Sequence, residues 1–458
     1  DRWGGPVEHR ARLLLEIIAG VRARVGDDFP LWIRINALER HKPDGETFDD
    51  QLAVIELAVE AGLDAVHVTA YANLDVATGP TDSYAPHRVG DLADYAAAVR
   101  ERVDVPVITF GRFEPDEAEQ VLAEGRADFV AMGRKLLADP DLPNRLAAGE
   151  PERIRPCLYQ YRCIGNIFVN QSLACVANAA TGREDEAALA VARRSQSVIV
   201  VGGGPAGLDA ARVLAGQGHH VEVWESGATL GGVLRDVRGA DAVLDRYRAW
   251  LESEVALAGV GVQLGRRANV DDLLAARPDA VVIATGPRWT APAVAGRDLP
   301  HVVGPGSTTA WFVDGASVPD PVVIVGGGKP GLTLAAALRA RGAAITVIES
   351  SRVFGVELGL PGRFRMVADI EAAGVRLLAE TEVVEIRADS LTVTTAGTPR
   401  TIAAAAVVVC TRVSGTPDLA TETVAAGLTT FVVGDALAAR GFEGITRDAE
   451  DLARALAE

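Results

Sequence analysis

The 458-residue chain carries a formal net charge of −17 at pH 7, which argues against nucleic acid or an anionic membrane surface as a partner. Its four cysteines are too few for a disulfide framework, and we find no N-terminal signal segment and no apolar run of about 18 residues, so we expect a cytoplasmic protein without a membrane segment. With 48% apolar residues, this length predicts about three domains of roughly 150 residues each.

Residues 1–150 alternate between apolar strands and amphipathic helices. The predicted strands are 30–35, 64–69, 105–110 and 128–132, and the predicted helices are 48–61, 91–103 and 115–124. Near-continuous apolar strands separated by such helices are typical of a parallel sheet covered by helices. The sequence therefore predicts an α/β fold.

A Gly-Arg pair follows each of the last two predicted strands. Gly111-Arg112 comes directly after one strand, and Gly133-Arg134 comes after the next. Backbone N–H groups at glycine and an arginine guanidinium suit a phosphate dianion, and (β/α)₈ barrels commonly bind phosphate in the loops after strands 7 and 8. Either pair alone is compatible with a plain turn, whereas two pairs at successive strand ends indicate a phosphate-binding barrel.

The first ten residues add a family likeness. The residues that carry it are Asp1, Arg2, Trp3, Gly4, Gly5, Glu8 and Arg10. Together with the two Gly-Arg loops, they resemble the old yellow enzyme superfamily of FMN barrels. The resemblance implies FMN phosphate at Gly111, Arg112, Gly133 and Arg134, and it implies Arg34 beside the flavin N1 and C2 carbonyl. A salt-bridged barrel arginine is the alternative for Arg34.

In that family the opening residues precede strand 5 of the barrel. The resemblance therefore implies the C-terminal half of a (β/α)₈ FMN barrel, strands 5–8, and we expect a fragment or an incomplete gene product. A half-barrel completed by another chain is the alternative. The main catalytic residues of the family would lie in the absent half and are unknown here. Tyr71, Asn73 and His87 are the candidates on the substrate side, and a solvated loop residue is the alternative for His87.

Three of the four cysteines lie between the barrel and the next fold: Cys157, Cys163 and Cys175. Thiolates suit iron–sulfur clusters because soft sulfur stabilises iron in both oxidation states, although ordinary buried thiols are the alternative. The spacing resembles the linker of multidomain members similar to 2,4-dienoyl-CoA reductase and trimethylamine dehydrogenase, which implies a [4Fe–4S] cluster. Gln160 holds the family's second ligand position, so a three-iron cluster or no stable cluster are the other outcomes.

Residues 198–225 carry a dinucleotide-binding fingerprint in the order strand, glycines, helix, strand and acid. Its members are Gly202, Gly204, Pro205, Ala206, Gly207 and Glu225. The glycines permit a tight turn and close approach of a pyrophosphate, and the acid accepts a hydrogen bond from a ribose hydroxyl. With Gly232, Gly286 and Asp435, the stretch resembles two-dinucleotide flavoprotein reductases. This implies FAD, with Asp435 on its ribityl chain.

The same unit repeats from residue 322. Gly326, Gly328 and Gly331 precede Glu349, and in both copies the acid lies 18 positions after the last glycine (225 − 207 and 349 − 331). An internal repeat indicates two similar Rossmann-like domains. The resemblance implies that the second is inserted in the first and binds NAD(P) or a vestigial ADP. Glu349 favours NADH because a carboxylate repels a 2′-phosphate, while Arg352 keeps NADPH open.

The predicted domains follow from these motifs. They are a partial FMN barrel at 1–150, an iron–sulfur linker at 151–190, an FAD domain at 195–315 plus 420–458, and an NAD(P) domain at 318–415. In the last of these, Lys329-Pro330 departs from the small or branched residues usual in the family, and the proline removes one possible phosphate donor.

The resemblance implies an NADH:flavin oxidoreductase that reduces an activated alkene of the enoyl or dienoyl type. Electrons would pass from NAD(P)H to FAD and through the cluster to FMN, with the cofactors carrying the chemistry. One alternative is an amine dehydrogenase with an electron-transfer flavoprotein as acceptor, and another is a truncated, inactive assembly subunit. The identity of the small-molecule substrate and the oligomeric state stay open. The Ala- and Arg-rich composition suggests a high-GC bacterial source, for which an actinobacterial relative associated with mycofactocin systems is the expectation.

Overall fold

The structure of the protein is a computed structural model. It describes residues 2–40, 43–72, 90–186, 189, 191–236, 238–239, 241–289, 291–312, 315–415 and 418–457. The chain divides into two units, Asp1–Arg134 and Lys135–Glu458. Among the described residues, no helix combines the length and the apolar composition that crossing a bilayer requires.

The first unit is a four-stranded parallel sheet with helices between its strands. Its elements are α1 (Val7–Val25), β1 (Trp32–Arg40), α2 (Phe48–Glu60), β2 (Ala65–Ala72), α3 (Ala93–Arg100), β3 (Val107–Thr109), α4 (Pro115–Ala123) and β4 (Phe129–Val130). The strands lie in the order β1-β2-β3-β4, and each pairs in parallel with the next. This strand–helix alternation confirms the predicted α/β fold.

Branched apolar strand residues form the core of this unit. Val66, Val68 and Val107 are fully buried in one cluster with Ile55 of α2 and Val99 of α3. Burial of this kind removes apolar surface from water, which is the main favourable contribution to folding. The sheet therefore provides a fixed platform for the loops at its carboxyl end.

Local signals fix where two of the helices begin. Thr47 caps α2 by accepting the backbone N–H of Asp50, and Glu114 and Glu117 form a capping box at the start of α4. Helix α1 lies outside the predicted elements. Exposed apolar residues such as Leu13 interrupt the polar face that would have made its helical period recognisable.

The second unit begins with short helices and continues into two folds of similar design. Its elements up to residue 303 are α5 (Arg134–Ala138), α6 (Leu142–Ala147), α7 (Arg162–Phe168), β5 (Ser197–Val201), α8 (Pro205–Gly216), β6 (His220–Trp224), α9 (Val233–Asp236), α10 (Ala242–Leu257), β7 (Gly261–Gln263), α11 (Val270–Ala276), β8 (Ala280–Ile283), β9 (Pro287–Trp289) and β10 (Val302–Val303). The later elements are α12 (Thr309–Phe312), β11 (Val322–Val325), α13 (Lys329–Ala340), β12 (Ile345–Ile348), α14 (Leu360–Ala372), β13 (Arg376–Leu378), β14 (Thr381–Ile386), β15 (Ser390–Thr395), β16 (Thr398–Ala403), β17 (Ala406–Val409), β18 (Arg412–Gly415), α15 (Asp418–Ala425), β19 (Thr430–Val432) and α16 (Phe442–Ala457).

Two five-stranded parallel sheets organise this unit, in the orders β19-β8-β5-β6-β7 and β10-β17-β11-β12-β13. The second sheet lies between β8 and β19 in the sequence, so the second fold is inserted in the first, as predicted. The antiparallel strands β14-β15-β16 belong to the inserted segment. The chain leaves the first fold through β9 and returns through β18, and these two strands pair antiparallel.

The first of these sheets is apolar on both faces. Val200 and Val282 point into a cluster with Leu214 of α8, while Ile199 and Ile283 belong to the cluster on the opposite face. Strands buried on both faces read as near-continuous apolar runs, which is why the sequence showed them clearly.

Candidate flavin and dinucleotide sites

Neighbouring strands of the first unit bring a cation, an imidazole and an aromatic ring together. Nη2 of Arg34 on β1 lies 3.5 Å from Oγ1 of Thr69 on β2, and the guanidinium carbon lies 4.7 Å from the ring centroid of Phe110. The His67 ring meets Phe110 edge-on, with the centroids 5.4 Å apart. Burial, and then the charge of Arg34, lower the pKa of His67, which favours the neutral imidazole. Arg34 therefore supplies positive charge beside a neutral ring.

The strand register places the two Gly-Arg loops side by side. The last residues of β3 and β4 pair directly, so adjacent strands lead into Gly111 and Gly133. Gly111 has a φ of 153° and Arg112 a φ of 62°. A left-handed backbone conformation is uncommon for arginine, and such conformations are concentrated at binding and active sites. Arg134 begins α5 in the second loop. The arrangement suits phosphate binding, and the assignment to FMN stays a prediction.

Of the three predicted substrate-side residues, Tyr71 alone lies within the part of the chain that the structure describes. Asn73 and His87 lie outside the described residues. Tyr71 is the second-last residue of β2, and only its backbone is described. A role in catalysis for any of the three stays a prediction.

A cavity of about 580 Å³ opens at the N terminus of α8. Open α/β sheets bind ligands outside the carboxyl ends of their strands, and the volume is in the range of small-molecule sites. The predicted FAD residues that line it are Gly202, Gly204, Pro205, Ala206, Glu225, Gly232, Gly286 and Asp435. The structure therefore brings together nearly the whole predicted set.

Gly207, the other predicted residue, lies beneath the cavity wall. A Cβ at this position would overlap the carbonyl oxygen of Gly202 and lie 3.2 Å from Cβ of Ala284. Gly202 itself has a φ of 113°, a conformation that favours glycine. Glycine at both positions lets α8 start close to β5, so the N–H groups at the N terminus of α8 can approach a ligand.

The carboxylate of Glu225 is held firmly at the end of β6. It accepts the backbone N–H of Gly203 at 2.7 Å and that of Gly227 at 2.5 Å, and the residue is only 9% exposed. The two backbone donors orient the group, because each of them binds a different carboxylate oxygen. It is therefore placed to accept from a ribose hydroxyl in the cavity.

Two further residues of the cavity wall were not predicted. The guanidinium carbon of Arg266 lies 3.3 Å from the ring centroid of Trp224, and both residues line the cavity. His67 in the first unit was also missed. Arg266 follows an apolar strand and His67 interrupts one, so a polar residue at such a strand was the signal that could have found these two. Trp224 carries no such signal, because it reads as an ordinary apolar strand residue.

The second fold repeats the backbone contacts of the first 124 residues later (326 − 202, 331 − 207 and 349 − 225). Glu349 accepts the N–H of Gly327 at 2.7 Å and that of Ser351 at 2.8 Å. Gly326 has a φ of 113°, the same value as in the first fold, and a Cβ at Gly331 would overlap the carbonyl oxygen of Gly326. The predicted repeat is thus a repeat of contacts as well as of sequence.

The segment between α6 and β5 carries the three predicted cluster ligands, and Cys163 lies in α7. Cys157 and Cys175 pack in one apolar cluster, and Cys163 acts electrostatically on Cys175. Burial raises the pKa of Cys175, while the backbone N–H groups of Ala177 and Asn178 donate to its sulfur. Hydrogen bonds to sulfur are one of the means by which proteins tune iron–sulfur clusters. The chemistry of these donors therefore fits a cluster.

The same segment also departs from a complete ligand set. Within the described ranges, no group of three or more His, Cys, Asp or Glu side chains forms a metal-binding set. Nε2 of Gln160 donates to the carbonyl oxygen of Leu158 at 3.3 Å. Tyr159 and Tyr161, on either side, have φ values of 48° and 62°. Such left-handed residues persist only where their surroundings enforce them, so this part of the segment is tightly shaped.

Comparison with known protein families matches the two ends of the chain to two different families. Residues 1–153 match the NADH:flavin oxidoreductase / NADH oxidase family, and residues 196–438 match the pyridine nucleotide-disulphide oxidoreductase family. The folds and these matches define a flavin-dependent oxidoreductase. The chain belongs to the multidomain flavoenzymes of the old yellow enzyme superfamily, the group that includes relatives of trimethylamine dehydrogenase.

Individual relatives cover most of this chain but less of their own length. NADH oxidase from Thermoanaerobacter brockii is 34% identical over 398 residues, covering 84% of this chain and 60% of that protein. N,N-dimethylglycine/sarcosine dehydrogenase from Chromohalobacter salexigens is 36% identical over 300 residues, covering 62% of this chain and 42% of that protein. The solved structure of a 2-naphthoyl-CoA reductase complex has a TM-score of 0.92 at 26% identity, over 99% of this chain and 69% of that one. The chain thus spans about 60% of the length of the NADH oxidase.

Proposed function

We propose that the chain serves an NADH:flavin oxidoreductase that takes electrons from NAD(P)H and delivers them to an activated alkene. The observation that carries the proposal is the repeated dinucleotide fold, with an open cavity of about 580 Å³ in its first copy. Two such folds in one unit suit a donor dinucleotide and a flavin that accepts its hydride. The similarity to NADH oxidase supports this direction of electron flow.

Different residues of the chain would bind FAD and the nicotinamide dinucleotide. Glu225 would accept from a ribose hydroxyl of FAD, and Asp435 would bind its ribityl chain. Glu349 would accept from the adenosine ribose of NADH. Asp435 is fixed for this purpose because it accepts two backbone N–H groups, from Arg440 at 2.9 Å and from Gly441 at 3.0 Å. Bound FAD, FMN and cluster would supply hydride and single-electron transfer.

Other residues would hold the FMN and the cluster. Cys157, Cys163 and Cys175 would bind the cluster as [4Fe–4S] or [3Fe–4S], with Gln160 at the corner that lacks a thiolate. The guanidinium of Arg34, which lies on β1 beside Phe110 and neutral His67, would stabilise negative charge on the N1 side of reduced FMN.

The ligand of a solved relative supports one class of substrate. The solved 2-naphthoyl-CoA reductase aligns with nearly the whole chain, and in its complex it carries 2-naphthoyl-CoA, a conjugated acyl thioester. A conjugated carbonyl activates a carbon–carbon double bond toward hydride, which supports an enoyl or dienoyl substrate.

Anaerobic stopped-flow absorbance tests the proposal. The chain is loaded with FAD, its FMN, FAD, iron and sulfide contents are measured, and NADH or NADPH is mixed in. We expect rapid bleaching of the flavin by NADH. Bleaching by dithionite but by neither nicotinamide would reject the proposal, and retention of FAD without FMN would favour the inactive-subunit alternative.

A second candidate is amine oxidation with an electron-transfer flavoprotein as acceptor. The 36% identity to N,N-dimethylglycine/sarcosine dehydrogenase favours it. In that case dimethylglycine, rather than NADH, would bleach the flavin in the same anaerobic experiment.

A further inference from the structure

A carboxylate of the chain lies at the N terminus of α13, where the second fold would bind the diphosphate of a dinucleotide. The backbone N–H of Lys329, the first residue of α13, donates to Oε2 of Glu357 at 3.1 Å. A Cβ built on Gly328, the N-cap, would lie 2.6 Å from Oε1 of Glu357. The carboxylate therefore covers the backbone approach that a glycine at this position otherwise leaves open.

The N terminus of α8 in the first fold is the equivalent position without a carboxylate. Subtracting 124 gives Gly204, Pro205 and Val233 as the counterparts of Gly328, Lys329 and Glu357. A Cβ on Gly204 would find its nearest neighbour, the Cα of Gly232, at 3.7 Å, and Gly204, Pro205 and Val233 all line the open cavity. The chain thus places an apolar residue at this position in one copy and an anion in the other.

The negative charge of Glu357 determines how the N terminus of α13 interacts with a diphosphate. A helix N terminus attracts one anion with its unpaired N–H groups and its dipole. A diphosphate brought to the same N–H groups would face a like charge at contact distance, where repulsion is strong. The ammonium of Lys329 interacts electrostatically with Glu357 and with Asp241.

We infer that Glu357 is an autoinhibitory contact: its carboxylate takes the diphosphate position of the second fold and must move before a dinucleotide binds there. The inference rests on the proposed function insofar as the second fold is taken to be the nicotinamide site. It goes beyond that function by making occupancy of the site conditional on one displaceable side chain.

Binding of ADP-ribose, which has the diphosphate but no redox-active ring, tests the inference. Isothermal titration calorimetry compares the FAD-loaded chain with its Glu357→Gln and Glu357→Ala variants. We expect both variants to bind about tenfold more tightly, because the diphosphate would no longer have to displace an anion from the helix N terminus. Glu382→Gln, an exposed carboxylate on β14 of the same inserted segment, is the matched control and should leave the affinity unchanged.

The outcomes separate the inference from the proposed function. Equal affinities of the parent and both variants, with unchanged melting temperatures, overturn the inference and leave the function standing. Failure of every form to bind ADP-ribose overturns both. Tighter binding by the variants with no flavin reduction by NADH supports the inference and rejects the function.

Discussion

Replacement of Gly207 by alanine should weaken the binding of FAD to the first fold. The new Cβ would overlap the carbonyl oxygen of Gly202 and press on Ala284, so α8 must move away from β5. That movement works against a core in which Ala210 and Leu214 of α8 are fully buried. Overpacking of this kind costs about 1–3 kcal/mol, and at ~1.4 kcal/mol per factor of ten the Kd for FAD should weaken roughly ten- to hundredfold.

Fluorescence titration of the apoprotein with FAD measures this change. The matched control is Gly216→Ala in the last turn of the same helix, where a Cβ would find nothing within 4 Å. Gly331→Ala places the same overlap in the second fold and should leave FAD affinity unchanged. If Gly207→Ala binds FAD as tightly as Gly216→Ala does, the close approach of α8 to β5 is not what positions the flavin.

Three further outcomes are expected. Gln160→Cys should raise the iron retained after mild air oxidation and suppress a three-iron EPR signal, because a thiolate replaces a neutral amide at the open corner; the idea fails if the anaerobic parent holds no iron. Burial raises the pKa of Cys175 and keeps its thiol protonated, so alkylation of this residue by iodoacetamide in the metal-free reduced chain should rise with pH. Labelling followed by mass spectrometry should reach half its plateau only above the usual thiol pKa of about 8.5. Half-maximal labelling at a lower pH would contradict this. NADH should reduce the flavin at least about tenfold faster than NADPH because of the Glu349 carboxylate, and equal stopped-flow rates would show that Arg352 governs the pocket.

The sequence predicted the repeated folds well because their tight turns restrict the residue type at a few positions. Gly202 and Gly326 adopt a conformation that favours glycine, and Gly207 and Gly331 each lie against a carbonyl oxygen that leaves no room for a side chain. Such constraints appear directly as residue types at fixed spacing, so the pattern was readable in one sequence.

Other parts of the sites could not be predicted in this way. The carboxylate of Glu357 reaches α13 only because of the path of the loop after β12, and no local pattern encodes that path. The packing of His67 against Phe110 likewise depends on the pairing of β1, β2 and β3, which joins residues far apart in the chain. Asn73 and His87 stay predictions.

The antiparallel pair formed by β9 and β18 has a mechanical consequence. These are the two crossings between the folds, and they are joined to one another by hydrogen bonds, so the chain enters and leaves the inserted fold through a single ribbon. A ribbon of two strands bends and twists more readily than it stretches. We therefore expect the inserted fold to rotate about this ribbon as a rigid body when it takes up a ligand. Pro287 and Arg288 of β9 also line the FAD cavity, so such a rotation would be transmitted to the cavity wall itself.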